Sequence, residues 1–416
     1  MSAAPTEQSA DEDARLCYCA NVHPGESLED AIRIARTHGA AVKAMVSPEA
    51  PMGYGLRLTA EAAAEAVQEP ARLAALRDAL AETGLVAFTV NGFPYGPFHG
   101  RPVKEAVYRP DWRTPERLRY TIDLAEAMAA LSHETDLSLS TVPGAFRPDG
   151  IGAEARIAET MIAFVAHAAA LEARTGKTVR LAIEPEPECL LETTAEAIAF
   201  FEAHLFSTAA VAALGERAGL SRAAAETALR RHLGLCFDVC HAAVEFEDPD
   251  ASLDALEAAG IGVYKLQLSA ALSIPRVDAA ARSALAAYDE PTYLHQVVVR
   301  DAAGALTRRL DLGVALAQAA KGDGEAEGDA WRVHFHAPVF AAAAPPFETT
   351  QADLIKVLER QARRPISRHL EIETYTWGVL PPALRAASVE AMIAQEIFWV
   401  RDQLARAADL GTREAT

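Results

Sequence analysis

The chain has 416 residues, of which 50% are hydrophobic and 23% charged, so it can bury a large core. Its formal net charge of −19 at pH 7 gives an acidic surface, which repels the phosphate backbone of nucleic acids and the anionic face of a membrane. No segment reaches the roughly 18 uninterrupted apolar residues of a membrane span, and five scattered cysteines are typical of reduced thiols. We therefore expect a cytoplasmic protein that has no nucleic-acid partner and no membrane span.

Strand and helix patterns alternate along most of the chain. Residues 1–14 are polar and acidic and lack the features of a signal peptide, so they predict a disordered tail. Apolar runs predict eight strands, at 16–22, 53–58, 85–91, 137–142, 179–184, 233–238, 262–268 and 370–374. Helical spacing predicts helices at 29–37, 60–68, 71–82, 115–131, 152–175, 252–259, 351–363 and 387–407, and a helical block at 194–231 with a break near 219–221.

Two segments interrupt this alternation. The loop 92–112 is rich in glycine, proline and aromatic residues, a composition typical of loops that cover a site. Residues 292–312 alternate with a period of two around a turn at 301–304, which predicts a β-hairpin that could act as a lid. Because an acidic, glycine-rich stretch follows this segment, we predict an insertion at 290–330, after the seventh strand.

Eight strands that alternate with helices predict parallel βα units, and their number favours a single (β/α)8 TIM barrel over an open sheet. The barrel is predicted at residues 15–410, with a short tail at 411–416. The sequence lacks the glycine-rich fingerprint of dinucleotide-binding folds after its first strand and lacks a phosphate-binding loop motif. Barrel enzymes carry their chemistry at the carboxyl ends of the strands, so a site is expected there.

Strands five to eight each end in a carboxylate or a carboxamide: Glu184, Asp238, Gln267 and Glu373. Such groups are costly in a dry barrel mouth unless they are paired or bind a cation. Four converging oxygen ligands predict one divalent ion of the Mg²⁺ or Mn²⁺ type, or Zn²⁺ or Co²⁺ if a histidine joins them. His241 lies one turn after Asp238 and is close enough to share the ion or a substrate. The alternative is that these residues only cap the helices that follow.

Strand alternation adds a second prediction, one level deeper in the barrel. Lys265 and Glu371 each lie two residues before a predicted ligand, on neighbouring strands and on the inward face. We therefore predict that they form a buried ion pair beneath the metal. The alternative is that Lys265 holds the substrate.

The set Glu184, Asp238-x-x-His241, Gln267 and Glu373 resembles the xylose isomerase-like barrel superfamily, which includes sugar isomerases, sugar epimerases and endonuclease IV. This resemblance implies one divalent ion, Mn²⁺, Mg²⁺, Zn²⁺ or Co²⁺, held by those four strand ends. Further motifs resemble the EboE family of metabolite-traffic proteins: Cys-Tyr-Cys-x-Asn-Val-His-Pro-Gly-Glu at 17–26, Asn-Gly-Phe-Pro-Tyr-Gly at 91–96, Tyr-x-Pro-Asp-Trp at 108–112 and Glu-Ile-Glu-Thr-Tyr-Thr-Trp at 371–377. That family implies the handling of a secondary-metabolite precursor, together with other proteins of the same cluster.

If the site is isomerase-like, Glu184 and Glu373 exchange a proton with the substrate across the cavity, and His241 polarises the carbonyl oxygen. His336 is similar to a histidine of the endonuclease branch and could bind substrate or a second metal. The other substrate-contact candidates are His23, Asn21, Asn91, His99, Lys265 and Trp377.

Three functions are therefore open. The first is a metal-dependent isomerase or epimerase of a small polyol-like metabolite. The second is a metabolite-binding protein without catalysis, and the third is an endonuclease IV-like phosphodiester hydrolase. The acidic charge disfavours the hydrolase, as do Gln267 and Asn91, which stand where that enzyme type would need histidines.

Overall fold

The computed structural model describes residues 15–321, 328–380 and 388–414, so the predicted tail 1–14 lies outside the described residues. The strands, in chain order, are β1 (Arg15–Tyr18), β2 (Met52–Arg57), β3 (Leu85–Asn91), β4 (Asp136–Thr141), β5 (Thr178–Ile183), β6 (Leu233–Asp238), β7 (Val263–Leu268), β8 (Ala270–Ile274), β9 (Val297–Arg300), β10 (Leu306–Arg309), β11 (Ala330–Ala337), β12 (Ala343–Ala344), β13 (Phe347–Thr349) and β14 (His369–Ile372).

The helices lie between them: α1 (Leu28–Ile34), α2 (Ala40–Val46), α3 (Ala60–Gln68), α4 (Pro70–Thr83), α5 (Pro115–Leu131), α6 (Arg147–Gly150), α7 (Glu154–Thr175), α8 (Thr194–Phe200), α9 (Thr208–Ala218), α10 (Arg222–His232), α11 (Val239–Val244), α12 (Pro249–Ala258), α13 (Ala279–Leu285), α14 (Leu312–Lys321), α15 (Gln351–Arg363) and α16 (Val389–Glu414). Helix α16 runs past the predicted end at 407 and into the segment 411–416 that was predicted as a tail. Among the described residues no single helix is long and apolar enough to cross a membrane, although one bent pair, Thr194–Leu205 with Thr208–Ala218, passes on length and composition.

Eight parallel strands form the central sheet, in the spatial order β1-β14-β7-β6-β5-β4-β3-β2. A single bridge between Cys19 and Gly55 joins the two ends of this sheet. Helices follow the strands and pack around them, so the predicted (β/α)8 barrel is confirmed. The carboxyl ends of β5, β6, β7 and β14 are neighbours in this order, which is why side chains that are distant in sequence meet at one mouth.

The chain also builds a second, antiparallel sheet beside the mouth of the barrel. Its six strands have the order β10-β9-β11-β8-β13-β12, and it spans residues 270–349, a wider range than the predicted insertion. Strands β9 and β10 pair with each other within the segment that was predicted as a hairpin. The central strand, β11, pairs with β8 on one side and β9 on the other, and its ladder with β8 is irregular between Val333 and Ala337.

The first strand is shorter than predicted. The ladder between β1 and β14 ends at Tyr18, and residues Ala20–Val22 form one turn of 3₁₀-helix instead of continuing the strand. This turn brings the side-chain amide of Asn21 within 2.8 Å of Glu373 Oε1. Strands β3, β6 and β7 reach their predicted ends, whereas β2, β4 and β5 end one residue earlier and β14 ends two residues earlier.

The predicted ion pair beneath the mouth is present. Lys265 Nζ lies 2.6 Å from Glu371 Oε2, and both side chains are fully buried. Lys265 also contacts Ser140 Oγ at 3.2 Å. A Cβ atom at Gly55 would lie 1.9 Å from Glu371 Oε1, so only glycine leaves room for the carboxylate in this part of the barrel.

Helix α16 brings another buried carboxyl group close to the C-terminal strand. Glu396 is 1% exposed, and it accepts hydrogen bonds from Thr374 Oγ1 at 2.7 Å and from the backbone N–H of Val339 at 3.1 Å. Burial raises the pKa of Glu396 to about 8, although both hydrogen bonds act in the opposite direction. The carboxyl is therefore largely protonated at neutral pH.

This raised pKa predicts a specific pH dependence of stability. The folded protein holds the proton of Glu396 more tightly than the unfolded chain does, so the stability that it provides is complete below about pH 4.5 and is lost progressively as the pH rises to about 8. In the Glu396→Gln variant this loss is absent. We expect the variant to be more stable than the parent by about 2–4 kcal/mol at pH 8 and similar to it near pH 4.5, as measured by urea unfolding. An equal difference at both pH values would contradict the assignment.

Candidate metal centre and cavity

A cavity opens at the carboxyl end of the barrel, and about 530 Å³ of space in and above it is free of protein atoms, part of it open to solvent. Its floor is polar and contains residues from several strands, among them Asn21, Asn91, Glu184, His241 and Glu373. The second sheet contributes two further histidines, His334 and His336, and residues of the loop 92–112 also line the cavity. Most of the polar floor is buried, so charges there are weakly screened by solvent.

Three carboxylates of the predicted ligand set meet at this floor. One oxygen from each of Glu184, Asp238 and Glu373 lies within 4.8 Å of the other two, and all three residues are buried. The backbone holds them there, because Glu184 N–H donates to the carbonyl of Thr141 and Glu373 N–H donates to the carbonyl of Leu268, each at 3.1 Å. Both contacts continue the ladders of the parallel strands by one residue.

The hydrogen bonds of Asp238 fix one of its oxygens and leave the other free. Oδ1 accepts from Ser269 Oγ at 2.7 Å and from the backbone N–H of His241 at 3.0 Å, as the N-cap of helix α11. Oδ2 is buried without a hydrogen-bond partner, and so is Oε2 of Glu184. Two orphaned carboxylate oxygens in one dry pocket are costly unless a cation binds them.

The charges of this cluster repel one another. Burial, together with the charges of Glu373 and Asp238, raises the pKa of Glu184 well above its ordinary value. Burial, together with the charges of Asp238 and Glu371, has the same effect on the pKa of Glu373. The orphaned oxygens, the short separations and the raised pKa values all fit a divalent cation held by Glu184, Asp238 and Glu373.

Glu373 is held by three side-chain amides. Asn21 and Asn91 each donate to Oε1 at 2.8 Å, and Gln267 donates to Oε2 at 2.6 Å. The amide oxygen of Gln267 lies 2.8 Å from Cys236 Sγ, away from the other carboxylates. In this arrangement Gln267 orients Glu373. That Gln267 also binds the metal directly stays a prediction.

Three imidazoles form a second cluster beside the carboxylates. His241 Nε2 lies 3.2 Å from His334 Nε2, which in turn lies 3.1 Å from His336 Nε2. Each Nδ1 faces an oxygen that can only accept: the carbonyl of Pro185 for His241, the carbonyl of Glu373 for His336, and the amide oxygen of Gln296 for His334. Each Nδ1 therefore carries the hydrogen, and the Nε2 lone pairs face one another.

This arrangement of lone pairs defines what the histidines can do. Burial lowers the pKa of His336 to about 4 and lowers the pKa of His334 well below its ordinary value, so both rings are neutral at neutral pH. Facing lone pairs repel unless an electrophile lies between them. The trio can therefore accept a hydrogen bond from a substrate hydroxyl, or it can hold a cation.

Hydrogen bonds from residues next to the second sheet hold this trio in place. The pattern of polar residues at the strand ends does not predict these hydrogen bonds. Gln296 Nε2 donates to Glu186 Oε1 at 2.9 Å and to the carbonyl of Pro187, while its oxygen accepts from His334. Tyr108 Oη donates to the same Glu186 oxygen at 2.8 Å. In the sequence, Glu186 is the residue that could have indicated this network, because it lies two residues beyond Glu184 and so points to the same side.

The remaining substrate-contact candidates lie around the cavity, and not all of them line it. Asn21, Asn91, His241 and His336 do line it. His99 lies behind the wall, where Nε2 contacts the carbonyl of Asn21 at 2.6 Å and Nδ1 contacts Tyr293 Oη at 2.9 Å. Three other candidates do not line the cavity: His23, Lys265 and Trp377. The ring of His23 stacks on the ring of His38, Lys265 lies below the floor, and Trp377 is buried.

Of the comparisons with known proteins, the one with solved structures gave matches. No protein-family model matches the sequence, and no curated protein is significantly similar to it. Similar solved structures include a candidate sugar phosphate isomerase/epimerase from Anabaena variabilis, at 11% identity and a TM-score of 0.49, covering 95% of this chain and 99% of that one. A xylose isomerase-like TIM barrel protein from Mycobacterium smegmatis in complex with magnesium has 10% identity, coverage of 95% and 97% and a TM-score of 0.47. The IolI protein with a bound zinc atom has 12% identity, coverage of 94% and 99% and a TM-score of 0.44.

Proposed function

We propose that this protein is a metal-dependent isomerase or epimerase of a small α-hydroxycarbonyl compound. One observation carries the proposal. One oxygen from each of three buried carboxylates, Glu184, Asp238 and Glu373, lies within 4.8 Å of the other two, and two oxygens of this cluster have no hydrogen-bond partner. Glu184 and Glu373 line the cavity, and Asp238 lies beside them. A pocket of this kind binds a divalent cation and presents the carbonyl and hydroxyl oxygens of a substrate to it.

A bound divalent ion would polarise the substrate carbonyl and lower the energy of the enediolate charge that follows proton removal. The protein side chains would supply the rest of the chemistry. We assign Glu184 as the base, because it lines the cavity and, unlike Glu373, does not have both of its oxygens held by amides. Its carboxylate takes the proton from the carbon that bears the hydroxyl group.

Glu373 has a different part, because three amides hold both of its oxygens. These contacts orient it, so it binds the cation in a fixed position and faces Glu184 across the substrate. The Nε2 lone pairs of His241 and His336 accept a hydrogen bond from the hydroxyl group of the substrate. In an isomerase Glu184 returns the proton to the adjacent carbon. In an epimerase Glu184 keeps the proton that it has taken, and Glu373 supplies a proton to the opposite face of the same carbon.

Metal content tests the proposed ligands directly. We expect the protein, stripped with chelator and reloaded with Mn²⁺, to retain an ion at the carboxylate cluster, and we expect Glu184→Ala and Asp238→Ala to lose at least about 90% of the Mn²⁺ bound there at equal free Mn²⁺. Glu396→Gln is the matched control, because it changes a buried glutamate outside the cluster and should bind Mn²⁺ as the parent does. Elemental analysis after dialysis gives the stoichiometry, and unchanged content in folded alanine variants would remove the proposal.

A binding protein without catalysis is the second candidate. It is favoured by the motifs at 17–26 and 91–96, which resemble EboE metabolite-traffic proteins, and it would use the same cavity, in company with other proteins of a metabolite-traffic cluster. The two functions differ in one measurement. The isomerase exchanges a carbon-bound hydrogen of dihydroxyacetone for deuterium from D₂O, whereas a carrier binds its ligand without exchange. The phosphodiester hydrolase is the weakest candidate, because the net charge of −19 opposes a polyanionic substrate.

A further inference from the structure

The wall of the cavity is largely apolar, whereas its floor is polar. Half of the lining residues are aromatic or aliphatic. Phe98, Tyr293 and Tyr375 form a cluster of three rings, with centroids 5.0 Å, 5.4 Å and 5.1 Å apart. Phe98 and Tyr293 are buried, although they come from segments nearly 200 residues apart in the chain. The rings are packed edge-on or tilted, which is the arrangement of a rigid apolar surface.

The cluster meets the polar floor at one point. The ring of Tyr375 lies 4.6 Å from the ring of His336, so the aromatic surface begins next to the histidine trio. Valine and leucine side chains, Val103, Val107 and Leu294, extend the apolar surface away from the metal ligands. A molecule with its oxygens at the carboxylates therefore places its other end among apolar side chains.

Phosphate recognition needs a cation that is free to bind it, and the lining offers none among the described residues. Lys104 is the single lysine or arginine of the lining, and its Nζ is 2.6 Å from Asp311 Oδ2 and 3.1 Å from the carbonyl of Glu290. Arg57 lies behind Phe98, where it donates to Glu26 and to backbone carbonyls. A phosphate group in this cavity would meet carboxylates and apolar rings without a partner for its charge.

We propose that the substrate is an uncharged α-hydroxycarbonyl compound that carries an aromatic or other apolar group, and that it is not a phosphate ester. This inference rests on the proposed function, because the metal-binding floor is what orients the oxygens. The floor selects the hydroxycarbonyl end. The ring cluster of Phe98, Tyr293 and Tyr375 selects the apolar end by removing its surface from water.

Three probes share the same hydroxymethyl ketone and differ only in the group at the other end. They are 2-hydroxyacetophenone, which carries a phenyl ring, dihydroxyacetone, and dihydroxyacetone phosphate. Titration calorimetry with the Mn²⁺-loaded full chain gives the three dissociation constants. We expect 2-hydroxyacetophenone to bind at least about tenfold tighter than dihydroxyacetone, because a buried ring replaces a hydroxymethyl group. Dihydroxyacetone phosphate is expected to bind at least about tenfold more weakly than dihydroxyacetone.

Substitutions in the cavity wall test whether the ring cluster causes the preference for 2-hydroxyacetophenone over dihydroxyacetone. Phe98→Ala should reduce the advantage of 2-hydroxyacetophenone over dihydroxyacetone to less than about threefold and leave the Mn²⁺ content unchanged. Phe98→Tyr keeps the ring and should keep the advantage, and it shows that the position tolerates substitution. An advantage that persists in folded Phe98→Ala would overturn the assignment to the ring cluster.

The remaining outcomes separate this inference from the proposed function. If dihydroxyacetone phosphate binds most tightly and Lys104→Met abolishes its binding, the inference is wrong and the isomerase proposal stands. If none of the three probes binds more tightly to the Mn²⁺-loaded protein than to Glu184→Ala, both are wrong. Equal affinity for all three probes would also overturn the inference, because the wall would then make no selection.

Discussion

Replacing Glu184 with glutamine is expected to slow deuterium exchange into dihydroxyacetone by at least about 100-fold in the Mn²⁺-loaded protein. The amide that replaces the carboxylate cannot take up the carbon-bound proton. Its oxygen can still bind a cation, so Mn²⁺ should remain. The exchange is followed by NMR in D₂O, and the Mn²⁺ content of the same sample is measured alongside.

Two controls make this result specific. Glu396→Gln alters a buried glutamate away from the cavity and should exchange at the rate of the parent. Glu373→Gln keeps a cation ligand but disturbs a carboxylate that three amides hold, so its rate should fall with a partial loss of Mn²⁺. Parental exchange by Glu184→Gln at full Mn²⁺ occupancy would show that another group is the base.

Replacing Lys265 with methionine is expected to destabilise the protein by about 3–5 kcal/mol. Lys265 and Glu371 form a fully buried pair at 2.6 Å, and the substitution leaves the carboxylate charged and alone in the interior. The charge of Glu371 raises the pKa of Lys265 against the effect of burial, which agrees with a strong mutual attraction. Urea unfolding monitored by circular dichroism gives the change in unfolding free energy.

The double variant Lys265→Met with Glu371→Gln distinguishes a broken ion pair from a simple packing defect. Removing both charges relieves the isolated carboxylate, so the double variant should recover most of the lost stability. A double variant that is as unstable as the single one would assign the effect to packing. A single substitution with little effect would mean that the pair contributes nothing to stability.

The barrel could be predicted because its strands carry a strong local signal. Strand β3 and helix α5 have the predicted bounds, since an apolar run between Gly84 and the polar Asn91, and helical spacing after Pro115, mark both ends in the sequence. The proximity of the predicted ligands Glu184, Asp238 and Glu373 could be predicted for a related reason. Each follows an apolar strand directly, and parallel strands bring their ends to the same edge.

The second sheet could not be predicted in the same way. Strand β8, Ala270–Ile274, is short and rich in alanine, so it has no alternating pattern. Its partners are set by antiparallel pairing across 57 residues or more, which spacing along the chain does not encode. The contact between Gln296 and His334 has the same origin, and so does the direction of the Gln267 amide, which depends on Cys236 of the neighbouring strand.

The closure of the barrel has a consequence for synthesis of the protein on the ribosome. Strand β1 pairs with β14, and Asn21 donates to Glu373, 352 residues further along the chain. The cluster of Glu184, Asp238 and Glu373 therefore cannot form on a nascent chain until strand β14 has been translated. Until then one edge of β1 is unpaired, and β7 lacks one of its two neighbouring strands. Unpaired strand edges on a growing chain can associate with other molecules. Strand β1 must therefore stay accessible while the residues between it and β14 are translated.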